Sequence, residues 1–139
     1  MKAYLTRRYL FSASHRLHSH ALDQQENREV YGKCNNPYGH GHNYSVEVTV
    51  SGQVSPETGM ICDLVELDGF VEAQVLERFG HENLNELPAF AEVVPTTENL
   101  CREVFSIMRS FPAAAVEKVR IEETMLNSFE YAGGAEMKV

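Results

Sequence analysis

His40-Gly41-His42-Asn43-Tyr44-Ser45-Val46-Glu47-Val48-Thr49-Val50 is the stretch that decides how this chain folds. Tyr44, Val46, Val48 and Val50 alternate with polar residues, the period-two pattern of a strand with one buried face. His42 is in phase with that apolar side, and His40, two residues earlier, leaves the same face, so both imidazoles can meet one metal ion at the start of the strand. His15, in Ser12-Ala13-Ser14-His15-Arg16-Leu17, can supply a third nitrogen. Three neutral imidazoles with an open fourth position describe a catalytic zinc site better than a structural one, which is usually closed by four protein ligands. Cys34, in Cys34-Asn35-Asn36-Pro37-Tyr38-Gly39, is then not needed as a ligand and is free to do chemistry.

Outward from this stretch, Tyr4 to Phe11 reads as the first strand, and the polar run from His18 to Tyr31 reads as a long loop in which His18 and His20 are solvated. Gly52 to Gly59, with Ser55-Pro56 inside, reads as a turn. Asp63 and Glu66 form a weak capping pattern for a helix carrying Leu64, Leu67, Val71 and Val75. Thr96 or Thr97 caps a second helix with Leu100, Val104, Ile107, Met108 and Phe111 on one stripe. Val119 and Ile121 mark a third strand, and Phe129 and Tyr131 a fourth that stops at Gly133-Gly134. The order strand, strand, helix, helix, strand, strand implies an α+β domain: a four-stranded, mostly antiparallel sheet with both helices on one face. Its two edges need a partner or a cover.

The bulk composition narrows the function. A chain of 139 residues, 43% hydrophobic, has room for one core, and residues 1–139 read as a single domain. A formal charge of −8 argues against nucleic acid as a partner. Three scattered cysteines do not make a disulfide framework, and the charged start Lys2 to Arg8 lacks the apolar run of a signal peptide. No later stretch has the length of a membrane span, so a cytoplasmic protein without a membrane partner is expected.

Gly32-Lys33-Cys34-Asn35-Asn36-Pro37, His40-Gly41-His42-Asn43-Tyr44, Phe11-Ser12-Ala13-Ser14-His15-Arg16-Leu17, Thr96-Thr97-Glu98-Asn99 and Glu123-Thr124 together resemble the 6-pyruvoyl-tetrahydropterin synthase family, from near one end of the chain to near the other. The resemblance implies the tunnelling fold, in which sheets join edge to edge into a barrel and two trimers make a homohexamer. It implies a lyase acting on the small molecule 7,8-dihydroneopterin triphosphate, with Zn2+ on His15, His40 and His42 and Mg2+ accompanying the triphosphate. Cys34 is then the general base and His81 its catalytic proton partner, while Glu123 anchors the pterin ring and Thr97 and Glu98 fall in the substrate-binding stretch. A related branch, the 6-carboxy-tetrahydropterin synthases of the queuosine pathway, usually carries its cysteine closer to the paired histidines, whereas five residues separate Cys34 from His40 here. A competitor from another class is a non-catalytic zinc-binding scaffold.

Two positions have a reading of their own. Lys33, the neighbouring glycines and a nearby dication would favour the thiolate of Cys34, while Cys62 and Cys101 read as packing residues. Counting by two from Val119 and Ile121 puts Glu123 on the apolar face, where a carboxylate must be paired or hydrogen-bonded, unless the strand has ended before it. The chain departs from the family pattern at Gly80, where an aspartate usually precedes the histidine. The expectation is a weakened or altered proton relay, giving slow turnover or side-chain cleavage, and a gain of synthase activity in Gly80→Asp.

Overall fold

A computed structural model describes residues 1–134 of the chain. Four strands form one antiparallel sheet in the order β1-β2-β3-β4: β1 is Lys2–His15, β2 His40–Gln53, β3 Ala115–Thr124 and β4 Asn127–Tyr131. The β1–β2 register pairs Phe11 with Tyr44, Ala13 with His42 and His15 with His40. Directly paired residues share a face, so the apolar alternation of β2 continues without a break into the paired histidines. β1 extends past the expected Phe11 to His15, and β2 runs through Gly52 to Gln53, so the expected turn starts later.

Val46, Val48, Val50, Val119 and Ile121 are fully buried on that face, each contributing about 1.5–3 kcal/mol by leaving water. Helices cover them. α2 (Leu64–Val71) begins at Asp63, whose carboxylate accepts from the Val65 N–H, and continues through a π-helical turn at Glu72–Leu76 into α3 (Glu77–Phe79). Leu67, Val71, Val75 and Phe79 point into the core, and Arg7 and Tyr9 of β1 donate three hydrogen bonds of 2.7–2.8 Å to Asp68, fastening α2 to the sheet. α4 (Thr97–Met108) is capped by Thr96, whose hydroxyl accepts from the Asn99 N–H, and buries Leu100, Cys101, Val104, Phe105 and Met108. Cys101 is fully buried, which pushes its thiol up to about 12, as suits a packing residue. Among the described residues, no helix is long and apolar enough to cross a membrane.

The expected loop from His18 to Tyr31 is corrected. Its second half is a helix, α1 (Gln24–Tyr31). Asp23 accepts from the Glu26 N–H and Glu26 returns a bond from the Asp23 N–H, a closed capping box that starts a helix with a weak apolar stripe. Asn27, fully buried, ties the helix back by donating to the Ser19, Leu22 and Asp23 carbonyls and accepting from the Ser19 N–H. The other sheet face is polar: Thr6 bonds Thr49, and Arg8 and Arg120 both bond Glu47.

Candidate active site

The core face of the sheet ends in a cluster of imidazoles. The His15 and His40 Nε2 atoms are 3.3 Å apart, and those of His40 and His42 are 3.0 Å apart. Nitrogens sharing a tetrahedral metal at about 2.0–2.1 Å stand about 3.3 Å from one another, so the three rings are spaced as ligands of one ion. The tautomer of His15 supports this. Its Nδ1 lies 3.0 Å from the Pro95 carbonyl oxygen, which can only accept, so the proton sits on Nδ1 and the Nε2 lone pair faces the cluster. Burial lowers the His15 pKa below its ordinary value, and burial also lowers that of His42 against the pull of Glu123, keeping both rings in the neutral form that binds metal.

Two further groups reach this cluster. The Cys34 thiol lies within 4.8 Å of ring nitrogens of His15 and His40, and a Glu123 oxygen lies within 4.8 Å of ring nitrogens of His15 and His42. Cys34 arrives on a 3-10 turn, Gly32–Asn35, that follows α1. The turn is docked by the Leu17 N–H donating to the Cys34 carbonyl at 2.7 Å and by buried Asn35 donating to the Leu17 carbonyl at 2.7 Å. Gly39 then brings the chain into β2 with a φ of +71°, and a Cβ there would lie 2.9 Å from the His15 carbonyl oxygen, so the approach requires glycine.

Glu123 sits one position beyond the Ser45–Glu122 pair, next to Tyr44 and diagonal to His42, with its side chain only 14% exposed. One of its oxygens is 3.8 Å from the His42 Nε2 and the other accepts the Thr97 hydroxyl. The strand has not ended before Glu123, and the carboxylate on the apolar side is partnered as such a group must be. Thr97 is buried at the first turn of α4, while Glu98 is exposed on the same turn and is not brought into the cluster.

Four expectations meet this geometry. The thiol of Cys34 is pushed up, first by burial and then by the Glu123 charge, so Lys33 does not make it a thiolate in the metal-free protein. His81 lines a cavity of about 330 Å³ with Ser12, Ser14, His42 and Asn43, whereas Cys34 clusters with His15 and His40. Gly80 is enforced by packing: a Cβ there would lie 2.5 Å from the Leu76 carbonyl oxygen, so Gly80→Asp cannot be the simple repair that the family pattern suggests. His18 is half-buried where solvation was expected.

Sequence reasoning missed the groups that orient the ligands. The Pro95 carbonyl comes from a loop eighty residues from His15, and no pattern announces it. Tyr44 had the better signal: two positions beyond His42 on the same face, it stacks edge-on to His42 at 5.6 Å and places its hydroxyl 3.4 Å from the His15 Nδ1.

A sheet ending in three convergent imidazoles, with a thiol and a carboxylate beside them, makes a candidate metal site. The family model for 6-pyruvoyl tetrahydropterin synthase matches residues 4–134, and the chain belongs to that family. It is 50% identical over 132 residues to a 6-pyruvoyl tetrahydrobiopterin synthase of Poecilia reticulata, covering 94% of this chain and 90% of that one. Its structure is similar to that of a Caenorhabditis elegans 6-pyruvoyl tetrahydropterin synthase, with a TM-score of 0.91, 40% identity and coverage of 96% and 97% of the two chains. Similarity to a putative 6-carboxy-5,6,7,8-tetrahydropterin synthase of Archaeoglobus fulgidus is lower, 35% over 113 residues, covering 81% of each chain.

Proposed function

We propose that this chain is a zinc-dependent lyase converting 7,8-dihydroneopterin triphosphate to 6-pyruvoyl-tetrahydropterin with release of inorganic triphosphate. The observation that carries the reading is the 3.0–3.3 Å convergence of the His15, His40 and His42 nitrogens with the Cys34 thiol at their side. Zinc, when bound, supplies Lewis acidity to the side-chain hydroxyls of the substrate and positive charge that favours the Cys34 thiolate. A purely structural site would need neither a free thiol nor a held carboxylate facing its open side.

The chain's own residues divide the remaining work. Glu123 accepts ring N–H and amino hydrogens of the pterin, and the Thr97 hydroxyl fixes the carboxylate so that the side chain of the substrate lies near Cys34. Cys34 removes the carbon-bound proton, and His81 returns a proton to the product. Glu98, exposed on the same α4 turn as Thr97, belongs to the stretch to which we give substrate binding.

His81 lines a cavity with Ser12, Ser14, His42 and Asn43, and we assign its cooperation with Cys34 to a contact between two copies of the chain. Assembly as a hexamer of joined sheets supplies such a contact. The free edges β1 and β4, and the exposed Leu10, Met125 and Leu126 beside them, support such an assembly. The chain acts as one domain, since all four strands and α2 to α4 contribute to one core. The free state of Cys34, Cys62 and Cys101 suits the cytoplasm.

The test is incubation of the zinc-loaded protein with 7,8-dihydroneopterin triphosphate, followed by mass spectrometry of the pterin and assay of inorganic triphosphate. A pyruvoyl pterin with stoichiometric triphosphate is expected. A carboxy pterin, a pterin stripped of its side chain or no turnover would overturn the reading.

A further inference from the structure

The helical run that ends at Gly80 and His81 holds one residue more than its packing needs. Its fully buried side chains are Leu67, Val71, Val75 and Phe79, four apart each time. An α-helix turns about 100° per residue, so each step of four carries the next side chain about 40° round the axis, about 120° in all from Leu67 to Phe79. A plain α-helix would therefore swing Phe79 off the face that Leu67 buries, because its apolar stripe alternates steps of three and four. The π-helical turn Glu72–Leu76 absorbs the difference. The Glu77 N–H donates to the Glu72 carbonyl, five residues back, and the Gly80 N–H resumes the α pattern by donating to the Leu76 carbonyl at 2.8 Å. Such a turn takes up one extra residue, so Phe79 stays in the core, where its ring centre lies 6.4 Å from that of Phe11 and 6.4 Å from that of Phe90.

The core has no need of that extra residue. With one residue fewer between Val71 and Val75, the four buried positions would stand at steps of four, three and four, which an unbroken α-helix buries on one face. The extra residue changes instead where the helix stops, by up to about 1.5 Å along its axis. That end is stapled to β1. The His81 N–H donates to the Ser12 carbonyl at 2.5 Å, the Ser14 N–H donates to the Glu82 carbonyl at 3.0 Å, and Asn83 pairs with Ser14. His81 takes its φ of +61° at this junction, and the Leu76 carbonyl, inside the π turn, crowds any Cβ at Gly80. The staple leaves little slack between the π turn and the cavity that His81 lines with Ser12, Ser14 and His42.

We propose that the π-helical turn Glu72–Leu76 is a positioning element of the reaction centre, its extra residue setting His81 at the rim of the site. The inference rests on the proton role given to His81 under the proposed function. Displacing a reacting group by about 1 Å costs about 10²-fold in rate, so a shift of one helical residue is large enough to matter.

Deletion of Ala73, exposed in the π turn, tests the inference on the zinc-loaded protein, with Ala73→Gln as the control that keeps the residue count. The deletion is expected to fold with an equal or higher melting temperature, full zinc content and unchanged affinity for a pterin analogue. Its kcat is expected to fall about 10²-fold, and the NMR resonances of the His81 amide and imidazole to move. Ala73→Gln is expected to change none of these. His81 resonances left in place by the deletion overturn the inference, and so does an unchanged kcat. Should the deletion fail to fold by circular dichroism, deletion of Gln74, also exposed in the turn, replaces it. Failure of both to fold shows that the core requires the extra residue, and overturns the inference too. The two readings separate. A parent protein that does not turn over the pterin triphosphate removes the proposed function, whereas displaced His81 resonances in the folded deletion still show that the π turn places His81.

Discussion

The candidate metal cluster and the proposed proton-transfer groups are built in different ways. His15, His40, His42 and Glu123 are carried by paired strands, where register sets both the face and the neighbour of every side chain. Cys34 and His81 sit on turns, held by a few backbone contacts: Leu17 N–H to the Cys34 carbonyl at 2.7 Å, and the His81 N–H to the Ser12 carbonyl at 2.5 Å. His81 adopts a φ of +61°, a left-handed conformation that a non-glycine residue holds only when its surroundings impose it. Metal ligands must be placed before the ion arrives, and strands do that. Groups proposed to move protons need only meet the substrate, and turns suffice for that.

The largest effect expected from this contrast is at the strands. His40→Ala should lower zinc from about one per chain to near zero by elemental analysis and abolish turnover with it. Retention of full zinc in that variant would show that Cys34 or Glu123 ligates in its place. Cys34→Ala should leave the zinc content intact while turnover falls by about 10²–10⁴, the range for loss of a general base. Normal turnover would reduce Cys34 to a packing residue.

Gly80→Asp sharpens the comparison from the turn side. With a Cβ 2.5 Å from the Leu76 carbonyl, it should lower stability by about 1–3 kcal/mol in thermal or denaturant melts. A variant as stable as the parent and faster in turnover would mean that this turn adjusts freely, and that an aspartate there does restore a relay. Thr97→Val should act more gently, raising KM for the pterin with kcat less affected, because it frees the Glu123 carboxylate without removing it. Glu123→Gln should weaken a pterin analogue further, since one acceptor oxygen becomes a donor.

The smallest effect is in the metal-free protein. Burial depresses the pKa values of His15 and His42 below the ordinary 6.5, so the unfolded chain binds more protons than the folded one between those values and 6.5. Stability is then fully present above pH 6.5 and declines as pH falls through that window, levelling off below the folded pKa values. Melting temperatures of zinc-stripped protein across pH 4.5–7.5 measure this, and a flat profile would show that the rings are not held neutral by burial.

Much of this molecule is legible in its sequence because its signals are local and periodic. The alternation of Tyr44, Val46, Val48 and Val50 predicts β2 and puts His40 and His42 on its buried face, and the count from Val119 and Ile121 puts Glu123 there too. A strand period of two carries facing information over any length that stays in register. Helix α1 escaped because its stability lies in a capping box and in the buried bonds of Asn27, not in an apolar stripe.

The sequence by itself determined which residue types exist to bind a metal, which face of β2 and β3 they occupy, and that one carboxylate on an apolar face needs a partner. Only the tertiary structure decided who that partner is, that Pro95 selects the His15 tautomer, that the Leu76 carbonyl crowds any side chain at Gly80, and that burial raises the Cys34 thiol in the metal-free protein. The reason is range. Periodicity acts between neighbours in the chain, whereas burial, tautomer and close approach are set by groups brought together from distant positions, and no pattern along the chain encodes their distance.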